Sequence, residues 1–297
     1  MEKRIEWYVV EREDERFQAI EKLVKIRPEV ERLYVAGEWR KELFEKCVAV
    51  IGSRRCSNYG RRVVEQLTSG LAGTGYVTVS GFMYGIDIEV HRNTYLSGGK
   101  TIAVLGWGIE KKVNVEMSRL MQKLIESGSL VITEYEGDFK GNLLSFPQRN
   151  RIVAGLADEV VVVEAAEKSG TMNTVRWAKK MRKRVWAVPG SVLSEVSVGT
   201  NLLIKEGKAE MFRFEDNFYT NVLEENGDLE GFSEEEREII TLLRLEEGLG
   251  VSEIGRRLGW EMSRVMRVVG KLELKGAVRS VGGVVVSAFG VVAGGMG

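Results

Sequence analysis

A segment that places an aromatic residue beside two arginines has the residue types that could bind an external polyanion. Phe146 is followed by Arg149, Asn150 and Arg151 where a stretch of helical period begins. An aromatic ring can stack on a nucleic-acid base while guanidinium groups hold phosphates, the combination that single-strand binders use. Such stacking contributes about 1–3 kcal/mol per base and tolerates any base sequence. The segment therefore predicts a contact with nucleic acid; burial of Phe146 under the helix is the structural alternative.

A second arginine-bearing loop, residues 52–60, joins the first core strand to its helix. Its candidate binding residues are Gly52, Ser53, Arg54 and Arg55. A dinucleotide-binding fold would place Gly-x-Gly-x-x-Gly here and an acidic residue at the end of the second strand. The chain has neither feature, since its second strand ends in Ser80-Gly81. Arginine in this loop suits a polyanion better than a nicotinamide, so we expect no cofactor; a surface arginine in a tight turn is the alternative for Arg54.

Further candidates lie in three other loops. Ser169, Gly170 and Thr171 stand at the start of a helix. Hydroxyl groups at that position usually serve as caps, and they become anion ligands only if the cleft beside them is open. Gly81, directly after the second strand, and Lys140 complete the predicted binding residues.

The residue inventory argues against catalysis and against a metal site. Asp87 and His91 lie four residues apart, so on a helix they share one face and could form a structural pair. We favour that pair over catalysis, because no nucleophile or second base is evident nearby. His91 is the single histidine, and the spacing of Cys47 and Cys56 fits neither a disulfide framework nor a zinc site. We therefore predict no catalytic residues and no metal ligands.

The overall charge requires that any basic surface be local. The 297-residue chain has a formal net charge of zero, whereas phosphate contacts need lysine, arginine or backbone N–H groups. One local excess is the run Arg176, Lys179, Lys180, Arg182, Lys183 and Arg184, for which an exposed helix face is the alternative interpretation. No segment reaches the roughly 18 apolar residues of a membrane span, and the N-terminus lacks a signal peptide. We therefore expect a cytoplasmic protein without a membrane partner.

The elements that must position these residues follow from apolar runs that recur after Cys47. The runs cover residues 48–51, 77–79, 102–105, 130–132, 160–163 and 185–188. Most are apolar throughout, as expected for strands covered on both faces, and stretches of helical length separate them. This alternation predicts an α/β fold, a Rossmann-like doubly wound and mostly parallel sheet. Ligands of such sheets bind beyond the carboxyl ends of the strands, where the candidate loops lie.

A separate small domain is predicted at the C-terminus. Ser233 and Glu236 have the spacing of a capping box at a helix start, and Gly282-Gly283 suits a tight hairpin turn. Three helices and this hairpin predict a winged helix, which could contact DNA or dock a protein; the sequence leaves both open. The predicted domains are a short N-terminal extension (1–45), a Rossmann-like DNA-binding domain (46–214), an acidic linker (215–231), the winged helix (232–290) and a flexible tail (291–297).

Long motifs in a fixed order resemble the bacterial DNA-processing protein A family, also called Smf. The resemblance covers about residues 17–288. Its motifs are residues 48–54, 80–81, 85–87 with His91, 103–106, 146–156, 164–165, 169–171, 188–190 and 199–204. It implies a core that binds single-stranded DNA in a basic pocket and forms a homodimer. It also implies delivery of incoming strands to a RecA-type recombinase during natural transformation.

Carried over by position, the resemblance places Gly52, Ser53 and Arg54 in that pocket, with Phe146, Arg149 and Arg151 beside it. Two positions depart from the family's pattern: Tyr84 replaces an arginine, and Val113-Asn114 replaces Tyr-Pro. Two other functions stay open at this point. One is a nucleotide phosphoribohydrolase of the same fold, and the other is a transcriptional regulator that acts through the winged helix.

Overall fold

A computed structural model describes the chain as two compact units, residues 1–213 and 214–297. The described residues are 5–72, 74–214, 232–245, 248–275 and 277–287. The predicted acidic linker (215–231) and tail (291–297) lie outside them.

The first unit is built on one nine-stranded sheet. Its strands are β1 (Tyr8–Glu11), β2 (Arg32–Ala36), β3 (Cys47–Gly52), β4 (Val77–Ser80), β5 (Lys100–Val104), β6 (Leu130–Thr133), β7 (Glu159–Glu164), β8 (Arg184–Ala187) and β9 (Glu210–Met211). They lie in the order β1-β2-β6-β5-β4-β3-β7-β8-β9. From β6 to β9 along this order all neighbours are parallel, whereas β1 and β2 are antiparallel to each other and β2 to β6.

Two short helices lie between β1 and β2, and one helix lies between each successive pair of strands from β3 to β9. They are α1 (Glu15–Gln18), α2 (Glu21–Val24), α3 (Asn58–Leu71), α4 (Ile86–Leu96), α5 (Val115–Glu126), α6 (Ser145–Leu156), α7 (Gly170–Lys180) and α8 (Val198–Lys205). Short 3₁₀ turns cover Lys41–Phe44 and Glu195–Ser197. The predicted Rossmann-like, mostly parallel α/β fold is confirmed, and each of the six predicted apolar runs lies in or overlaps a strand.

The chain reverses its direction across the sheet at one point, between β3 and β7. It proceeds from β3 through β4 and β5 to β6, and α6 then carries it back to β7 on the other side of β3. Ala49 and Ile51 of β3 pack in one core with Ile152 of α6 and Ala178 of α7. A separate core joins α5 to β5 and β6 on the opposite face. From β3 the chain continues to β4 on one side, and from β7 it continues to β8 on the other, so β3 and β7 form the switch point, at whose carboxyl ends this fold binds ligands.

The N-terminal residues before β3 belong to the same sheet. β1 and β2 extend it beyond β6, and α2 packs against α6. The sequence predicted only a short extension here and did not predict these strands.

The second unit has the three helices and the hairpin of a winged helix. Its elements are α9 (Glu234–Leu245), α10 (Val251–Leu258), α11 (Met262–Leu274), β10 (Val278–Val281) and β11 (Val284–Ser287). The predicted capping box is present: the Ser233 amide donates to Glu236 Oε2 at 2.7 Å and the Glu236 amide donates to Ser233 Oγ at 3.3 Å. Gly282 and Gly283 have φ values of +60° and +85°, which the tight hairpin turn requires.

Across the described ranges, no helix combines the length and the apolar character that crossing a bilayer would take.

Candidate nucleic-acid interface

A cavity of about 470 Å³ opens at the carboxyl ends of the strands, at the switch point. The loops after β3 and β4 and the first turns of α6 and α7 form its walls. Most of the predicted binding residues line it, namely Gly52, Ser53, Arg54, Arg55, Gly81, Phe146, Arg149, Asn150, Ser169, Gly170 and Thr171. Four separate stretches of the chain therefore meet at one site, as the sheet geometry predicts.

Phe146 and Arg54 form the aromatic and cationic wall of the cavity. The guanidinium carbon of Arg54 lies 5.7 Å from the centre of the Phe146 ring, and the Arg54 side chain is exposed. The ring of Phe146 packs edge-on against Trp107, with 6.2 Å between ring centres. Phe146 is thus half-buried and still lines the cavity. Packing against Trp107 holds the ring in place at the cavity wall, where it could stack on a base.

Arg149 places a buried positive charge at the floor of the cavity. Its Nη1 donates to the carbonyl oxygens of Gly81 and Val104, and its Nε donates to Asn150 Oδ1 at 3.1 Å. Burial lowers the pKa of Arg149 to about 10, against the opposing effect of Asp87. At neutral pH the guanidinium therefore stays charged, in a position where bound phosphate would be attracted.

Gly81 is required at this floor by the close approach of two charged side chains. A Cβ atom at this position would lie 2.6 Å from both Arg149 Nη2 and Asp87 Oδ2. Any larger residue would displace one of them. The predicted role of Gly81 as a cavity residue thus has a steric basis.

Asp87 also lines the cavity, although the sequence predicted a structural pair with His91. Asp87 Oδ2 accepts from the Met83 amide at 3.4 Å, and burial raises the pKa of the Asp87 carboxyl. His91 is fully buried, with Nδ1 at 2.8 Å from Thr101 Oγ1 on β5. The expected Asp87–His91 pair is therefore wrong, because each side chain has its own partner on a different strand or loop.

The first turn of α7 forms the opposite wall. Thr171 Oγ1 donates to the Gly52 carbonyl oxygen at 3.0 Å, and Asn150 Nδ2 donates to the Gly170 carbonyl oxygen at 3.3 Å. The Ser169 side chain makes no capping bond, and its buried Oγ has no hydrogen-bond partner among the described residues. Buried hydroxyls normally have a partner, so Ser169 Oγ is an exception at this wall.

The N-terminus of α3, by contrast, already holds a negative charge. Glu164, buried at the end of β7, accepts hydrogen bonds from the Ser57 hydroxyl and, at 3.0 Å, from the Ser57 amide. Ser57 Oγ in turn accepts from the Gly60 amide at 3.0 Å. A dinucleotide would place its pyrophosphate at this helix end. The Glu164 carboxylate occupies that position, so phosphates are better accommodated beside Arg54 and α7.

The structure does not bring Arg151 to the cavity. Its side chain is 1% exposed, pairs with the Glu134 carboxylate and donates to the carbonyl oxygens of Pro28 and Glu29 at 3.0 and 2.9 Å. Arg149 and Arg151 are two residues apart, and residues at that spacing point to different sides of a helix. Phe146, Arg149 and Asn150, at helical spacing, share the cavity face. Arg151 instead anchors the segment that precedes β2.

Lys140 is exposed on the loop before α6 and is not among the residues that line the cavity. Its carbonyl oxygen accepts from Lys111 Nζ at 3.0 Å.

The two positions that depart from the family pattern contact each other. Asn114 Nδ2 donates to the Tyr84 hydroxyl at 3.1 Å, and Asn114 Oδ1 caps α5 by accepting from the Met117 amide at 2.8 Å.

The cavity also has apolar lining residues that the sequence analysis missed, including Met83, Leu143 and Val153. Leu143 is 91% exposed in the turn before α6. An apolar Leu143-Leu144 pair in a loop was the signal that could have revealed it.

The fold and the site define a class of α/β protein with a doubly wound sheet, an arginine-lined cavity at the switch point and a C-terminal winged helix. Two family models match the chain: DNA recombination-mediator protein A over residues 9–223 and the DprA winged helix domain over residues 226–284. The chain belongs to the DNA recombination-mediator protein A family.

Curated relatives support this assignment. The DNA processing protein DprA of Streptococcus pneumoniae is 42% identical over 160 residues, which are 54% of this chain and 56% of that protein. A putative DprA of Mycobacterium tuberculosis is 34% identical over 244 residues (79% and 62%), and the Escherichia coli protein Smf is 38% identical over 175 residues (59% and 46%). The aligned part thus spans less than two thirds of each of these relatives.

Solved structures agree on the fold. The S. pneumoniae DprA structure superimposes with a TM-score of 0.63 and 34% identity, covering 70% of this chain and 71% of that one. A structure that concerns the single-stranded DNA binding mode of the Helicobacter pylori protein has a TM-score of 0.64 and 30% identity, covering 75% of this chain and 99% of that one.

Proposed function

We propose that this chain binds single-stranded DNA in the switch-point cavity and acts without catalysis. The observation that carries the proposal is the convergence of Arg54, Phe146 and Arg149 on one wall and floor. A stacking ring beside two guanidinium groups matches an unpaired strand, whose bases are free to stack and whose phosphates are continuous.

The exposure of this wall suits a continuous DNA strand better than a single mononucleotide. Arg54 and Arg55 are both exposed on the loop after β3, so they can contact phosphates outside the cavity. Arg55 Nη1 lies 3.7 Å from Glu195 Oε2, but both side chains are more than 80% exposed. Such an exposed pair is weak and can exchange its carboxylate for a phosphate.

The family assignment extends the proposal to the cellular role. We infer that the protein protects incoming single strands in the cytoplasm and loads a RecA-type recombinase on them during natural transformation. We infer that it does so as a homodimer. The family assignment supports these partners, and the cavity supports the DNA-binding step.

The decisive experiment compares binding of labelled single-stranded and double-stranded oligonucleotides at two salt concentrations. Arg54→Ala should weaken single-strand binding about tenfold, and the wild-type affinity should fall as salt rises, since phosphate contacts release counterions. Lys123→Gln, a charge change on α5 at the opposite face, is the matched control. Affinity that responds neither to Arg54→Ala nor to salt would refute the proposal.

Two assays test the alternatives. A phosphoribohydrolase would release free base from nucleoside monophosphates, which chromatography detects. A regulator that acts through the winged helix would prefer a particular duplex sequence, whereas stacking and phosphate contacts carry almost no sequence information.

A further inference from the structure

A second cavity, of about 580 Å³, lies at the opposite edge of the sheet, at the amino ends of β7 and β8. Its walls are α2 and the following turn on one side, and the carboxyl ends of α6 and α7 on the other. The lining includes five cations, Lys22, Lys25, Arg27, Lys180 and Lys183, and two carboxylates, Glu21 and Asp158. Two of these lysines, Lys180 and Lys183, belong to the basic run of residues 176–184, and no residue of that run lines the switch-point cavity.

The two carboxylates are already engaged. Asp158 Oδ2 accepts from Lys22 Nζ at 2.6 Å and from the Cys47 amide at 2.9 Å, and Glu21 pairs with Lys25. Among the described residues, no carboxylate lies within ion-pairing distance of Lys180 or Lys183. Arg27 pairs with Glu29, with 3.4 Å between Nη2 and Oε1, so the excess of positive charge in the cavity comes from Lys180 and Lys183.

Lys183 combines partial burial with nearby charges of both signs. It is half-buried, and burial lowers its pKa, with Lys22 and Lys25 acting in the same direction and Asp158 against them. Burying an ammonium group next to other cations is unfavourable unless an anion neutralises it. The geometry of the cluster thus fits a multivalent anion such as phosphate.

The helices α6 and α7 connect this cavity to the first one. α6 has Phe146 at the switch-point cavity and Gly155 at the second cavity, and α7 has Gly170 at the first and Lys180 at the second. α7 has eleven residues, which corresponds to about 16 Å of helix. Arg176 and Lys179 are exposed along it.

We propose that the second cavity holds backbone phosphates of the same DNA strand after this strand leaves the switch-point cavity along α7. This inference rests on the proposed function, because it extends that strand. The segment before β3 would then contribute to DNA binding through Lys25, which the sequence analysis did not assign to the site.

The test compares two oligothymidylates on the full chain: one of about 6 nucleotides, which one site accommodates, and one of about 20, which extends beyond it. The double variant Lys25→Gln/Lys183→Gln should bind the long strand about tenfold more weakly and the short strand within about twofold of wild type. The salt dependence of long-strand binding should lose about 1.4 in its logarithmic slope, the value for two single-strand phosphate contacts.

The control Arg119→Gln/Lys123→Gln removes two exposed charges from α5, on the other face of the sheet, and should leave both affinities unchanged. Amine-reactive labelling gives a second readout: the long strand, and not the short one, should protect Lys180 and Lys183. The proposal is overturned if the lysine variant binds both strands like wild type, which would mean that these cations only neutralise the end of α7. Equal losses for both strands would also overturn it. Failure of the proposed function itself would be distinct, since wild type would then not bind the short strand.

Discussion

The guanidinium group of Arg54 lies over the ring of Phe146, 5.7 Å from its centre, although 92 residues of sequence separate them. The two side chains come from the loop after β3 and from the first turn of α6. An arginine over an aromatic face is held electrostatically, and its N–H groups remain free to donate at the edge of the plane. The pair can therefore present a stacking surface and a phosphate donor together.

Removal of the Phe146 ring should weaken single-strand binding. Phe146→Ala should cost about 1–3 kcal/mol of binding free energy, the range for one stacked base, with little change in the salt dependence. Fluorescence anisotropy at two salt concentrations measures both quantities. Phe139→Ala is the control, since Phe139 stacks on Tyr135, 5.0 Å between ring centres, and does not line the cavity. Equal losses in the two variants would contradict a stacking role for Phe146.

Gly81→Ala should lower both stability and binding. The new Cβ would meet Arg149 Nη2 and Asp87 Oδ2 at 2.6 Å, so one buried charge must move, at a cost of about 1–3 kcal/mol in the free energy of unfolding. Chemical denaturation followed by circular dichroism measures this cost. A Cβ at Gly170 would have no atom within 4 Å, so Gly170→Ala should change the stability by less than about 0.5 kcal/mol. Matching stabilities for the two variants would show that the floor of the cavity can adjust.

Arg151→Ala should affect stability much more than affinity. The substitution leaves the Glu134 carboxylate without its buried partner and frees the Pro28 and Glu29 carbonyl groups, which should cost about 3–5 kcal/mol of unfolding free energy. The single-strand affinity of the folded variant, measured well below its melting temperature, should stay within about twofold of wild type, because Arg151 does not line the cavity and is not placed to contact a phosphate. A large loss of affinity with unchanged stability would instead place Arg151 in the binding site.

Much of the fold could be predicted because buried parallel strands have a simple sequence signature. β3, β5 and β7 are apolar runs covered on both faces, and the loops after such strands must meet at one edge of the sheet. β1 and β2 lack this signature. β1 is only partly buried, and its place in the sheet depends on antiparallel pairing with β2, whose other partner is the distant strand β6.

Within the candidate site, the order of strands and loops predicts which segments meet, and helical spacing predicts which side chains of a segment face the cavity. Helical spacing predicts that Phe146, Arg149 and Asn150 share one face, and the same spacing excludes Arg151. Asp87 could not be assigned in this way, because its contact with the floor depends on Gly81 and Arg149 from other elements. The second cavity could not be predicted either. Its charges come partly from α2 and partly from the run of residues 176–184, and no sequence pattern indicates that these two segments are close together.

His91 should make the stability of the first unit depend on pH. Burial, helped by the Arg149 charge, lowers the pKa of His91 to about 3, whereas an unfolded histidine titrates near its ordinary value of about 6.5. Between these values the unfolded state binds a proton that the folded state does not. The free energy of unfolding should therefore fall as the pH is lowered from about 6.5 toward 3, by up to about 1.4 kcal/mol per unit.

The raised pKa of Asp87 acts in the opposite direction: its destabilising effect is present at neutral pH and is relieved as the carboxyl becomes protonated. The informative measurement is consequently the difference between wild type and His91→Gln, from urea denaturation at several pH values between about 4.5 and 7. The variant retains a hydrogen-bonding group toward Thr101 but cannot titrate. The chain has a single histidine, so His91→Gln removes all histidine titration. In this pH range the free energy of unfolding of the variant should therefore change less with pH than that of wild type. Parallel curves would mean that buried His91 is as easily protonated in the folded state as in the unfolded one.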